Sequence, residues 1–168
     1  LHQILEEIPN AIIFFFEGDK KHETDLLKSR WERNSNLILS KTIFHPRCEF
    51  DMYLSIIKSF DIILDPFYFG MGNTFYQAMA LGIPVVTMPA KQSRGRVVYA
   101  GYKQMGIKDP PLANSPEEYI SICKKFAFNH SYKEHVVNQI VSNSKDHLFN
   151  DKKIFKEYID FFNESFKS

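Results

Sequence analysis

Leu1, Ile4, Leu5 and Ile8 recur at helical spacing, and Pro9-Asn10 stops that run just before the apolar hexapeptide AIIFFF at 11–16. A helix followed by a buried strand is predicted. The polar stretch 17–23 reads as a loop, TDLLKSRWER (24–33) as a helix, and NLILS (36–40) as a second short buried strand. EFDMYLSIIKSF (49–60) places Met52, Ile56, Ile57 and Phe60 on one helical face, and DIILD (61–65) is a third strand. Then comes PFYFGMG (66–72), a loop rich in glycine and aromatics. It leads into a helix, NTFYQAMAL (73–81), with Gly82 placed as its C-terminal cap. IPVVTM (83–88) is a fourth strand, and RGRVVYAGYKQM (94–105) is a helix closed by Gly106. Ser115-Pro116-Glu117-Glu118 combines a cap, a first-position proline and first-turn acids. Ser131 with Glu134 has capping-box spacing for a further helix, and Asn150-Asp151 opens the last.

Short apolar strands alternating with helices build βαβ units, so the expected class is α/β, a doubly wound, Rossmann-like, mostly parallel sheet. A single domain is expected over 1–168, with a βα core at 1–112 and C-terminal helices at 113–168. In such sheets ligands sit beyond the carboxyl ends of the strands. That directs attention to 17–23, 41–50, 66–74 and 89–95.

Composition narrows the classes. Lys+Arg 21 against Asp+Glu 20 leaves a net charge of +1, which argues against a nucleic-acid-coating or membrane-surface protein. The longest apolar run falls far short of the roughly 20 residues needed to span a bilayer. Cys48 and Cys123 lie far apart with no ligand spacing, so neither a zinc site nor a disulfide framework is indicated, and a reducing, cytoplasmic setting is the expectation. Opening at Leu1 in mid-pattern, the sequence reads as a piece of a longer protein.

The loop GMGNT (70–74) carries the clearest chemistry. Following a strand and opening a helix, Gly70 and Gly72 let the backbone approach a ligand while the first helical amides point at it, and Asn73 and Thr74 add side-chain donors. A phosphate or diphosphate suits that geometry. The alternative is that the glycines merely make a tight turn and Asn73 caps the helix. A Walker A loop is excluded because no GK[ST] follows. The dinucleotide fingerprint GxGxxG fails at its third glycine, where Phe75 stands.

The run from Asp61 to Gly106, with DIILD, GMGNTFYQAMALGIPVVTMP and SRGRVVYAGYKQMG, resembles the C-terminal catalytic half of glycosyltransferase family 41, the O-linked N-acetylglucosaminyltransferase and Spindly type. IPNAIIFFF, SPEEYI and LFNDKKIFKEYIDFF resemble other parts of that half more weakly. The resemblance implies one half of a GT-B fold, holding the nucleotide-sugar donor, a UDP-hexose or UDP-N-acetylhexosamine. Gly72, Asn73 and Thr74 match the loop that cradles the donor diphosphate. It implies inverting, metal-independent transfer: helix N-terminal amides and hydroxyls can hold the developing charge, and no DxD triplet is present. No cofactor or metal is expected.

Other matched positions are less uniform. Gln77 stands where the family usually has an acid for the ribose hydroxyls; its carbonyl can accept one, and otherwise it is a solvent-facing helix residue. Tyr53 falls where the family packs a His against the base, and a phenol ring can stack on uracil or serve as half-buried packing. The family's arginine on the same helix is replaced by Ile56. His45, in IFHP, is a candidate for the pocket rim or a plain loop residue. Arg94 and Arg96 begin a helix, where cations oppose the macrodipole, so an anion should compensate: an ion pair for Arg96, or a donor phosphate. Lys91 lies where the family commonly has an acid near the sugar. His130, His135 and His147 read as ordinary helical residues.

No catalytic residue is identifiable. The resemblance puts the catalytic lysine before residue 1 and most acceptor groups on an N-terminal GT-B domain, leaving the acceptor unknown. Two other readings compete: a nucleotide-sugar epimerase of the 2-epimerase type, and a non-catalytic interaction module that has lost donor binding. The aromatic residues divide accordingly. Phe14, Phe15 and Phe16 are expected in the sheet core, Phe67, Tyr68, Phe69, Phe75 and Tyr76 around the glycine loop, and Phe155, Tyr158, Phe161, Phe162 and Phe166 on a last helix partly exposed toward the missing domain.

Overall fold

The computed structural model describes residues 1–166. Helix α1 (His2–Glu7) leads to strand β1 (Ile13–Phe16), helices α2 (Lys21–Asn34) and α3 (Asn36–Ser40), and strand β2 (Thr42–His45). Helix α4 (Phe50–Ile57), strand β3 (Ile63–Leu64), helix α5 (Asn73–Ala80) and strand β4 (Val85–Val86) follow. A 3₁₀ turn at Ser93–Gly95 precedes α6 (Val97–Gln104), and α7 (Pro116–Phe128), α8 (His130–Ser144) and α9 (Lys152–Ser165) complete the chain. Both strand pairs are parallel: Ile13 to Phe16 lie beside Thr42 to His45, and Ile63-Leu64 beside Val85-Val86. A parallel bridge between Thr87 and Leu112 extends the second pair.

The α/β class expected from the sequence is thus observed, with shorter strands. DIILD and IPVVTM contribute two ladder residues each, and the hydrogen bonds form two separate pairs rather than one continuous ladder. NLILS is a correction: it is helix α3, not a strand. Ser35 caps it, its hydroxyl accepting the Ile38 amide at 3.4 Å, and a single turn buries Ile38. The second strand is instead TIFH, inside the segment 41–50 expected to be a loop. There Phe44 packs on Phe15 and Trp31 across the pair. Helix α8 is capped by Asn129, which accepts the Tyr132 amide at 2.9 Å, not by Ser131. Glu134 pairs with His130 one turn away instead of reaching back to the cap.

The core centres on the second strand pair. Phe75 and Met79 of α5, Val85 and Val86 of β4, Val98 and Tyr102 of α6, and Val136 and Ile140 of α8 are fully buried together. Two details fix this packing. A Cβ on Gly101 would lie 2.2 Å from Phe75 Cε1, so only glycine lets α6 approach that ring. The Tyr102 hydroxyl accepts the Val85 amide at 2.7 Å and donates to the Val85 carbonyl at 3.0 Å, satisfying the edge of β4 that faces away from β3. Gly82 and Gly106, both in the left-handed region, end α5 and α6 as expected.

Candidate functional site

The turn from β3 into α5 is built around Asp65. This residue follows the strand, is 4% exposed, and accepts the Met71 amide at 2.7 Å and the Thr87 hydroxyl at 2.5 Å. Burial pushes its carboxyl up from the ordinary value, while the Thr87 and Met71 donors pull it back. Gly70 is buried, its amide donating to the Arg94 carbonyl at 3.1 Å. A Cβ there would come 3.3 Å from both Asp65 carboxyl oxygens. Gly70 therefore closes the loop from behind.

The outer part of the loop is different. Gly72 occupies the N-cap position of α5, and a Cβ on it would meet nothing within 4 Å. Asn73 is the first helical residue and supplies no side-chain cap. That removes the reading in which Asn73 caps the helix. The Gly70, Met71 and Phe75 amides are all bonded within the protein, to Arg94, Asp65 and Gly72 respectively. The amides of Gly72, Asn73 and Thr74 have no acceptor among the described residues. Three adjacent unpaired N–H groups at a helix start, over open space, form a positive concavity that suits an anion.

Two cavities take in other candidate residues. One, of about 780 Å³, is lined by Phe16, Glu17, Gly18, Asp19, Glu23, Arg47, Cys48, Glu49, Phe50 and Tyr53. Tyr53 is half-buried between Phe16 (5.0 Å) and Phe50 (6.3 Å, near-parallel). Burial raises its phenol, and the nearby Thr74 side chain opposes the shift. Two residues singled out from sequence, 21 positions apart, one for a base and one for a phosphate, thus lie near one another. The other cavity, of about 390 Å³, is lined by Phe67, Tyr68, Met88, Pro89, Ala90, Lys91, Gln92 and Arg94. Lys91 and Arg94 are both exposed there, and no carboxylate lines it.

The remaining candidates are placed less centrally. His45, at the end of β2, stacks on Phe14 at 5.6 Å and meets Phe16 edge-on, so its ring belongs to the aromatic layer. Gln77 is half-buried on α5, one helical turn beyond Asn73. The expected start of a helix at Arg94 is corrected: Arg94 lies in the 3₁₀ turn and Arg96 precedes α6, so neither cation stands within the first turn. The ion pair expected for Arg96 is also absent among the described residues. Its guanidinium donates to the Ala90 carbonyl at 3.0 Å and lies over the Tyr99 ring at 4.5 Å, a neutral compensation for the charge. Asp65 was missed as a site residue, although an acid closing an otherwise apolar strand was visible in DIILD. Among the described residues, no group of His, Cys, Asp and Glu could hold a metal ion.

The geometry is that of a parallel α/β domain with an anion-receptive turn at the carboxyl end of a strand. The profile of glycosyl transferase family 41 matches residues 1–158, and the chain belongs to that family. Among curated proteins it is similar to the UDP-glucose:protein N-beta-glucosyltransferases of Actinobacillus pleuropneumoniae serotypes 5b (strain L20) and 7 (strain AP76). Each is 25% identical over 100 residues, 60% of this chain and 16% of theirs. Among solved structures it resembles a mutant O-GlcNAc transferase of Thermobaculum terrenum, with a TM-score of 0.80 and 18% identity, over 97% of this chain and 32% of that one. The fold is therefore that of a part of a family 41 protein, and the chain spans less than a third of the lengths of these relatives. No helix among the described residues is long and apolar enough to cross a membrane.

Proposed function

We propose that this chain is the donor-binding half of an inverting, metal-independent glycosyltransferase that takes a UDP-hexose or UDP-N-acetylhexosamine. The observation that carries this reading is the trio of unpaired amides at Gly72, Asn73 and Thr74. Such amides hold a diphosphate and stabilise its growing charge as the sugar departs, without help from a metal. Tyr53, near Thr74, offers a ring for the base in the larger cavity. Gln77 on α5 is the candidate for the ribose and His45, at the end of β2, for the pocket rim. Lys91, Arg94 and Arg96 follow β4; of these, Lys91 and Arg94 line the second cavity and are free to meet a phosphate or the sugar. The Actinobacillus relatives, named for UDP-glucose and protein, support a uridine donor.

The acceptor groups and the base come, on this reading, from an N-terminal GT-B domain of the same chain. Two free cysteines accord with a cytoplasmic setting. Calorimetry on the full-length protein with UDP, GDP and ADP tests the proposal. UDP should bind best, and Thr74→Ala, which keeps the amide and removes the hydroxyl donor beside it, should weaken it about tenfold, the effect of one lost hydrogen bond to a charged group. An absence of nucleotide binding would overturn it and favour a non-catalytic interaction module; UDP binding indifferent to the substitution would overturn the seating of the diphosphate at this turn.

A further inference from the structure

A carboxylate directly behind a loop that receives an anion is electrostatically unfavourable, so the place of Asp65 calls for another explanation. Its side chain is almost wholly buried, and no cation pairs with it among the described residues. Both carboxyl oxygens are spent on donors, the Met71 amide on Oδ1 and the Thr87 hydroxyl on Oδ2. Its backbone is held as well, the amide donating to Val86 at 2.9 Å and the carbonyl accepting the Tyr119 hydroxyl at 3.3 Å. Four contacts thus make Asp65 a fixed post, and of their partners only Met71 belongs to the loop between β3 and α5.

Met71 is the last residue before the three free amides. Fastening its N–H inward, together with that of Gly70 on Arg94, determines where the chain turns. The following amides are then left without internal acceptors. Were Met71 released, the loop could rotate and spend those amides on neighbouring carbonyls, as turns commonly do. We propose that Asp65 is the positioning residue of the donor loop: it captures the Met71 amide so that the Gly72, Asn73 and Thr74 amides face outward together toward a diphosphate. This rests on the donor-binding reading given above. It assigns Asp65 no contact with the ligand.

The test uses the full-length protein with UDP and with uridine, which lacks phosphates. Asp65→Ala should weaken UDP binding about tenfold, the scale of one charge-assisted hydrogen bond, while uridine affinity stays within about twofold. Asp65→Asn, whose side-chain oxygen can still accept the Met71 amide, should restore UDP affinity to within about threefold. Hydrogen exchange without ligand should be faster across 66–74 in Asp65→Ala and unchanged at Val85 and Val86. Equal loss of UDP and uridine would mean a general structural role and overturn the proposal, as would UDP affinity unaltered in Asp65→Ala. If that variant does not fold, Thr87→Val supplies the same comparison, with a smaller loss confined to UDP expected and no loss contradicting the proposal. Failure of the wild type to bind UDP would sink the donor reading itself, which is a different result from wild-type binding that ignores Asp65.

Discussion

Two aromatic-rich stretches of this chain, 67–76 and 155–166, have similar composition and opposite fates. In the first, Phe75 is completely buried and meets Tyr102 edge-on at 5.9 Å, while Phe67 meets Tyr119 edge-on at 5.1 Å. Tyr68 and Phe69 are left exposed beside the second cavity. In the second stretch no residue is buried: Phe155, Tyr158, Phe161, Phe162 and Phe166 are between 51% and 85% exposed, and Ile154 and Ile159 are open too. The expectation of an exposed cluster on the last helix is met. An isolated helix of 14 residues is marginal in water, and its stability ordinarily comes from a packed apolar face. The difference teaches that α5 is finished by this domain, whereas α9 carries a face made for something else. On the proposed function, that is the N-terminal half.

The comparison can be broken most forcefully at Phe75. Phe75→Ala should cost about 3 to 5 kcal/mol, the usual range for a buried phenylalanine, read by urea unfolding of the 168-residue chain. Tyr102→Phe keeps the ring and removes the hydroxyl that serves both polar groups of Val85, so roughly 2 to 3 kcal/mol is expected by the same measurement. The pH dependence is subtler. Because burial raises the Asp65 carboxyl above its ordinary 3.8, the folded state holds a proton that the unfolded chain has released. Its contribution is therefore greatest below that value and declines as pH rises through the interval above it. Thermal unfolding across the acidic range should show this decline in the wild type and a flatter profile in Asp65→Asn. Smallest of all, Phe155→Ser with Phe162→Ser should change the stability of this chain by less than about 0.5 kcal/mol. A loss above 1 kcal/mol would mean that α9 is packed within the domain after all.

Much of this architecture could be read from residue order. Gly82 and Gly106 end their helices in the left-handed conformation, Ser115 caps α7 by accepting the Glu118 amide, and strand, glycine loop and helix follow one another from 61 to 80 as the pattern implied. NLILS misled because five apolar-rich residues suit one buried helical turn as well as a strand, and only the Ser35 cap and the pairing of TIFH with β1 decide between them. The site was legible in part. Glycines and hydroxyls at a helix start are a local signal, so the turn at 72–74 stands out in the sequence as a candidate. Asp65 binds a residue six positions on and another 22 away, and such a bridge is invisible without the fold. The same holds for Arg96, whose expected ion pair is a carbonyl and a tyrosine ring.

The central claim is that the Gly72, Asn73 and Thr74 amides receive the donor diphosphate. A crystal structure of the full-length protein with UDP tests it most directly. The account predicts phosphate oxygens within hydrogen-bonding distance of those three amides, with the Met71 amide still on Asp65 and the uracil beside Tyr53. UDP seated elsewhere, with the three amides left empty or turned onto protein carbonyls, would contradict it.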